Sequence, residues 1–114
     1  MLAISVTVPS VSARKLITSA ERAMVLATVQ DQLARSFGGC TTTDGQGAWL
    51  DSQDKPITES VSVVTSYTDC VTWLEKSSEI NHLARYVARA LDQDSVLLVV
   101  SPVDSVIFVP QHEE

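Results

Sequence analysis

The residues best suited to bind a ligand lie in the middle of the chain, beside two glycines. They are Asp44, Gln46, Trp49 and Glu59. An indole can stack on a flat molecule and carboxylates can orient it, so these side chains could line a pocket. Gly45 and Gly47 favour a structural interpretation instead, in which they form a β-bulge, Trp49 fills the core and Glu59 pairs locally. The structural interpretation is the default, and the pocket is the alternative to test.

A second polar group occurs at helical spacing later in the chain. Glu79, His82 and Tyr86 are three or four residues apart and share one face of a predicted helix. Di-iron bundles use a Glu-x-x-His spacing twice. Here it occurs once, which favours a solvent-facing polar strip. No partner for His82 as a general base can be identified.

One strand residue, Tyr67, completes the set of predicted ligand-binding residues. The set is Asp44, Gln46, Trp49, Glu59, Tyr67, His82 and Tyr86. No residues have the spacing of a known catalytic, metal-binding or phosphate-binding motif. The sequence therefore predicts no catalytic residue, no metal ligand and no cofactor.

Cys40 and Cys70 are too few for a disulfide scaffold or a zinc site. If the hairpin loop described below centres near Lys55, Trp49 lies roughly opposite Val61 and Cys40 roughly opposite Cys70. The two thiols would then be neighbours. In a reducing compartment, two buried free thiols are favoured over a bond between them.

The spacing of apolar residues predicts seven secondary-structure elements. In chain order they are a strand at 2–8, a helix at 19–37, strands at 40–51 and 61–67, a helix at 69–92, a strand at 96–100 and a last short strand at 106–109. A capping box at Thr18 and Glu21 begins the first helix, and Gly38 ends it. The second helix could break at Ser77 and Ser78. The run of apolar residues at 96–100 predicts a strand that is central or covered on both faces.

This order predicts a ferredoxin-like α+β fold: β-α-β-β-α-β, an antiparallel sheet with two helices on one face, and an extra short C-terminal strand. One domain is expected at 1–110, with a polar tail at 111–114. Such a sheet leaves one face without helices. The sequence assigns the weakly polar Ser62, Val64 and Ser66 to that face, where a second copy could pack together with the apolar segment 106–109.

The composition is that of a globular protein, with 45% hydrophobic and 19% charged residues among 114. The formal charge of −6 argues against binding to nucleic acid or to an anionic membrane, because both require a basic surface. No apolar stretch approaches the length of a membrane span. Since the first residues lack a basic region followed by an apolar run, a cytoplasmic location is expected.

Several motifs resemble, in order along the chain, a family of small bacterial proteins known only as a domain of unknown function. They are Thr18 with Glu21, Gly39 with Thr41, Asp44-Gly45-Gln46-Gly47-Ala48-Trp49, Glu59, Ser95-Val96-Leu97 and Ser101-Pro102-Val103. The Gly-Gln-Gly-x-Trp segment is the most specific of them. This sequence departs from the pattern where Arg22 replaces an aromatic residue, and it lacks the export signal that members often carry. The resemblance implies a fold and a set of marked positions, but no activity.

Three classes of function follow from these features. The leading interpretation is a non-enzymatic, homo-oligomeric module, most simply a dimer, that binds a small molecule or has a regulatory role. The second is a small enzyme of the dimeric α+β-barrel type, in which a pocket between two sheets contains a group with a shifted pKa. The third is an acidic inhibitor or adaptor that covers a basic surface on another protein.

Overall fold

A computed structural model describes residues 1–112 of the chain. Its elements are β1 (Leu2–Val8), α1 (Ser19–Phe37), β2 (Thr41–Leu50), β3 (Pro56–Thr68), α2 (Cys70–Ala90) and β4 (Leu98–Pro102). The four strands form one sheet in the order β2-β3-β1-β4, and every neighbouring pair is antiparallel. The predicted ferredoxin-like α+β fold is confirmed.

Both helices begin at side chains that accept a hydrogen bond from the first turn. The Glu21 amide donates to Thr18 Oγ1 over 3.1 Å, and the Thr72 amide donates to Asp69 Oδ1 over 2.7 Å. Gly38 ends α1 in the left-handed conformation with φ of 91°, and its N–H donates to the Ala34 carbonyl. The bounds of α1 are those predicted. In contrast to the predicted break at Ser77 and Ser78, α2 continues through both residues.

The core lies between the two helices and one face of the sheet. Its fully buried members include Ile4, Val6, Val8, Val29, Leu33, Val64, Ile80 and Val87. Ser62, Val64 and Ser66 belong to this helix-covered face and are buried, so their assignment to the open face is wrong. The hydroxyls of the two serines form hydrogen bonds within the protein: Ser66 Oγ, for example, donates to the Gly39 carbonyl over 2.7 Å. The polarity of these serines reflects internal hydrogen bonds and not contact with solvent.

The β2–β3 hairpin is regular, and its register differs from the predicted one by four residues. Trp49 pairs with Ile57, and Gly45 pairs with Val61. The turn is tight because the Asp51 carboxylate accepts the amides of Gln53 and Lys55 over 2.8 and 2.9 Å. No bulge forms at the two glycines, since every residue from 41 to 50 has one partner.

The register also separates the two cysteines. Cys40 lies just before β2 and is half-buried, whereas Cys70 begins α2 and is exposed. Both are free thiols. The predictions that they are neighbours and that both are buried are therefore wrong.

The C-terminal part of the chain lies at the edge of the sheet. β4 pairs only with β1, and Val99 and Val100 are about two-fifths exposed, so the apolar run is neither central nor covered on both faces. No strand forms at 106–109: after the Val103 amide donates to the Met1 carbonyl, the chain leaves the sheet. The predicted tail at 111–114 lies partly outside the described residues. No helix within 1–112 has the length and apolar character needed to cross a membrane.

Candidate functional site

A cleft of about 630 Å³ lies on the sheet face that the helices leave free. Its floor is formed by β3 and by the end of β2 near the hairpin turn. Its sides are the connection after β1 and the connection that precedes β4. Most of the lining is apolar and comes from Pro9, Val11, Ile57, Val61, Val63 and Val96. This volume is within the range of pockets that hold small organic molecules.

Glu59 is the polar residue on the floor of this cleft. Its residue surface is only 5% exposed, although β3 presents it on the face without helices. The Ser10 amide donates to Glu59 Oε2 over 3.4 Å, which is long for a hydrogen bond. Burial raises the pKa of the Glu59 carboxyl, and the Val11 and Ser10 amides and the Arg22 charge counter this only in part.

Trp49 forms a wall of the cleft two pairs further along the same strands. Gly47 is paired with Glu59 and Trp49 with Ile57, so Trp49 and Glu59 are diagonal neighbours on one face. The indole lies over Gly47: a Cβ added there would be 3.3 Å from Trp49 Cζ3 and 3.4 Å from Val61 Cγ1. The missing side chain of Gly47 therefore gives the indole its position beside the cleft.

Arg14 closes the rim of the cleft and joins its two sides. Its Nε is 3.1 Å from Asp92 Oδ1, its Nη1 is 2.7 Å from Asp94 Oδ1, and its Nη2 donates to the Asp92 carbonyl over 3.0 Å. The hydrogen bonds to Asp94 and Asp92 raise the pKa of Arg14. With Glu59, the cleft has three carboxylates and one guanidinium in its lining, so it is an acidic site.

Arg22 supports the same region from the other face of the sheet. Its Nε donates to the Pro9 carbonyl over 3.0 Å, and its Nη2 donates to the Val8 carbonyl and to Ser62 Oγ over 3.1 and 2.9 Å. Ser62 Oγ in turn donates to Asp44 Oδ1 over 2.8 Å. Arg22 thus fixes the point where the chain leaves β1 and begins the wall of the cleft.

The structure brings together only two of the seven predicted site residues, Trp49 and Glu59. Asp44 and Gln46 alternate with the cleft residues of β2 and lie on the helix-covered side, where Asp44 is held by Ser62. Tyr67 lines a smaller hollow of about 340 Å³ that also includes Phe108.

The other two predicted residues, His82 and Tyr86, lie on exposed positions of α2. Neither lines the cleft. Among residues 1–112, no three or more His, Cys, Asp or Glu side chains are grouped so that they could hold a metal ion.

Arg14 and Arg22 were not predicted from the sequence to belong to the site. The one signal for Arg22 was its place in the resemblance, where an aromatic residue was expected. Arg14 gave no signal, because its partners Asp92 and Asp94 are about eighty residues away along the chain.

The family profile described as a protein of unknown function (DUF3574) matches residues 12–107 of this chain. The chain belongs to this family. The resemblance to a family of uncharacterised proteins is therefore confirmed. No curated protein matches the sequence.

Solved structures share the fold of this DUF3574 member at low sequence identity. CutA1 from Pyrococcus horikoshii OT3 is 13% identical, with 94% of this chain and 87% of that chain covered and a TM-score of 0.56. A phage SAM lyase in complex with S-methyl-5'-thioadenosine is 11% identical, with 88% and 79% covered and a TM-score of 0.62. The periplasmic divalent cation tolerance protein CutA from Archaeoglobus fulgidus is 9% identical, with 94% and 88% covered and a TM-score of 0.56. At these identities the likeness concerns the fold alone.

Proposed function

We propose that this DUF3574 member is a homo-oligomeric module that binds a small organic molecule in the cleft beside Trp49 and carries out no reaction on it. The observation that supports this most strongly is Glu59, a residue only 5% exposed whose carboxyl group lies on the floor of a mainly apolar cleft of about 630 Å³. Burying such a group costs free energy unless it finds a partner. The Ser10 and Val11 amides offset this cost only in part, and a ligand with a hydrogen-bond donor would add a further partner.

The binding half of the proposal can be tested with tryptophol, an uncharged indole alcohol, as the probe. We expect amide resonances of Gly47 and Val61 to shift in a ¹⁵N NMR titration. Val61→Phe fills the cleft and should abolish these shifts, whereas Val71→Phe makes the same substitution at an exposed position of α2 outside the cleft and should leave them unchanged. Shifts that survive Val61→Phe would place the binding elsewhere and refute the proposal.

The oligomeric half of the proposal is supported by the edges of the sheet. β2 and β4 each pair on one side only, and unpaired edges are surfaces on which a second copy can add. Exposed apolar residues, including Leu97 and Val99, accompany the β4 edge. Light scattering over a dilution series measures the mass directly. A mass of one chain at every concentration would contradict the proposal.

An enzyme of the α+β-barrel type is a second candidate, favoured by one observation. Burial raises the pKa of Glu59 within the cleft, and a raised carboxyl pKa is typical of groups that act as general acids or bases. For a molecule that binds the cleft and is chemically changed, Glu59→Gln should retain binding and lose the conversion. Bound molecules that remain unchanged over days in NMR spectra would favour the non-enzymatic module.

A cytoplasmic location remains part of the proposal. It is supported by the two free thiols, which are typical of reducing compartments. Fractionation of cells that produce the protein, with detection of the full chain in each fraction, tests this directly.

A further inference from the structure

The charged groups of the cleft differ in how far they are already paired. At the rim, the Arg14 guanidinium is bound to both Asp92 and Asp94, so those three charges satisfy one another. On the floor, Glu59 forms no ion pair with any described residue, and the nearby Arg22 guanidinium donates its hydrogen bonds to Val8, Pro9 and Ser62. The cleft therefore contains one buried carboxyl that forms no ion pair.

The aromatic wall of the cleft is placed to act with that carboxyl. Trp49 is the diagonal neighbour of Glu59 on the same face, and Gly47 lets its indole lie against the strand. The indole remains 40% exposed. The face of an indole attracts a cation through its quadrupole, more strongly than the ring of Tyr or Phe does.

We infer that the molecule bound in this cleft is an organic ammonium ion with a flat or aliphatic apolar body. The ammonium group would neutralise Glu59 and contact the Trp49 ring, while the body packs against the apolar side chains of the walls. An anionic ligand would have to displace Asp92 or Asp94 from Arg14 and would bring a second negative charge to Glu59. This inference rests on the proposed function, since it specifies the class of ligand that the same cleft takes.

Three indole derivatives of nearly equal shape separate the charge of the ligand from its body. Tryptamine is a cation, tryptophol is neutral and indole-3-acetate is an anion at pH 7. Dissociation constants for the full chain can be measured by ¹⁵N NMR titration. We expect tryptamine to bind at least about tenfold more tightly than tryptophol, because charge-assisted hydrogen bonds are roughly twice as strong as neutral ones. Indole-3-acetate should be the weakest of the three.

Two variants that each remove one carboxylate identify the group responsible. In Glu59→Gln the ratio of the tryptophol and tryptamine dissociation constants should fall to about one. In Glu75→Gln, which removes the same charge from an exposed position of α2 outside the cleft, the ratio should be unchanged. A ratio that persists in Glu59→Gln would show that long-range charge, and not this carboxyl, selects the amine.

The possible results distinguish this inference from the proposed function. Equal binding of tryptamine and tryptophol by the wild-type protein, or tighter binding of indole-3-acetate, overturns the ammonium inference. The proposed function still stands in that case, provided that Val61→Phe blocks tryptophol. If none of the three derivatives shifts the resonances of the cleft, both the inference and the proposed function are wrong.

Discussion

Replacing Arg22 with methionine should destabilise the protein by about 3 kcal/mol. The guanidinium donates to the Val8 and Pro9 carbonyls and to Ser62 Oγ, and all three residues are buried. Methionine has a similar length and apolar character along its stem but donates nothing. Ser62 keeps its bond to Asp44, so the main cost comes from two buried carbonyls without a donor, at roughly 1–2 kcal/mol each.

Urea unfolding followed by circular dichroism measures this loss. The urea concentration at the midpoint of unfolding should fall. The slope of the free energy of unfolding against urea should be unchanged, because the same surface is exposed on unfolding. Arg85→Met is the matched control, because Arg85 is exposed and has no hydrogen bond or ion pair within the described residues; its effect should stay below about 0.5 kcal/mol. Arg22→Lys should recover less than half of the loss, since an ammonium group cannot reproduce the fork of donors. A loss below about 1 kcal/mol in Arg22→Met would refute the assignment of Arg22 as the support of this region.

Three further substitutions test the core, a helix end and the carboxyl of the cleft by urea unfolding. Leu33→Ala removes a fully buried side chain and should cost about 3 kcal/mol, whereas Met24→Ala at a 70% exposed position of the same helix should cost little. Gly38→Ala places a side chain at φ of 91° and should cost about 1 kcal/mol, while Gly39→Ala, which has no neighbour within 4 Å and no positive φ, should be tolerated. Because burial raises the pKa of Glu59, the unfolded chain loses this proton first as the pH rises above about 4.3. The free energy of unfolding of the wild type should therefore fall between that pH and the pKa of Glu59 in the folded protein. Glu59→Gln has no such group, so its stability relative to the wild type should increase as the pH rises. A difference in the free energy of unfolding between the two proteins that stays constant from pH 4 to 8 would contradict this pKa shift.

The helices were predictable because their signals are local. Thr18 and Glu21 are three residues apart, and Gly38 follows the last apolar residue of the helical pattern, so the start and end of α1 require no long-range information. The strand at 96–100 is different. Consecutive apolar residues indicate burial on both faces, but β4 is an edge strand whose neighbours are fixed by the order of the whole sheet. A local pattern contains no information about that order.

The contacts of Arg14 and Arg22 around the cleft could not be predicted for the same reason. Arg14 binds Asp92 and Asp94 across most of the chain, and Arg22 binds carbonyls that any residue type would offer. Neither contact leaves a pattern in residue types. The composition of the cleft could therefore be predicted only for residues on the hairpin itself, where strand pairing relates positions close in sequence.

On the hairpin, the alternation of side chains explains why Trp49 and Glu59 line the cleft and why Asp44 and Gln46 do not. The error in register is four residues, an even number, so it does not exchange the two faces of the strands. Trp49 and Glu59 are both odd-numbered and share a face in either register. Asp44 and Gln46 are even-numbered and must lie on the other face of a regular strand. The predicted bulge would have changed that relation, because an extra residue shifts the alternation by one. From the sequence, Gly47 indicates an irregular strand. In the regular strand that forms, it instead leaves space for the indole of Trp49 at the wall of the cleft.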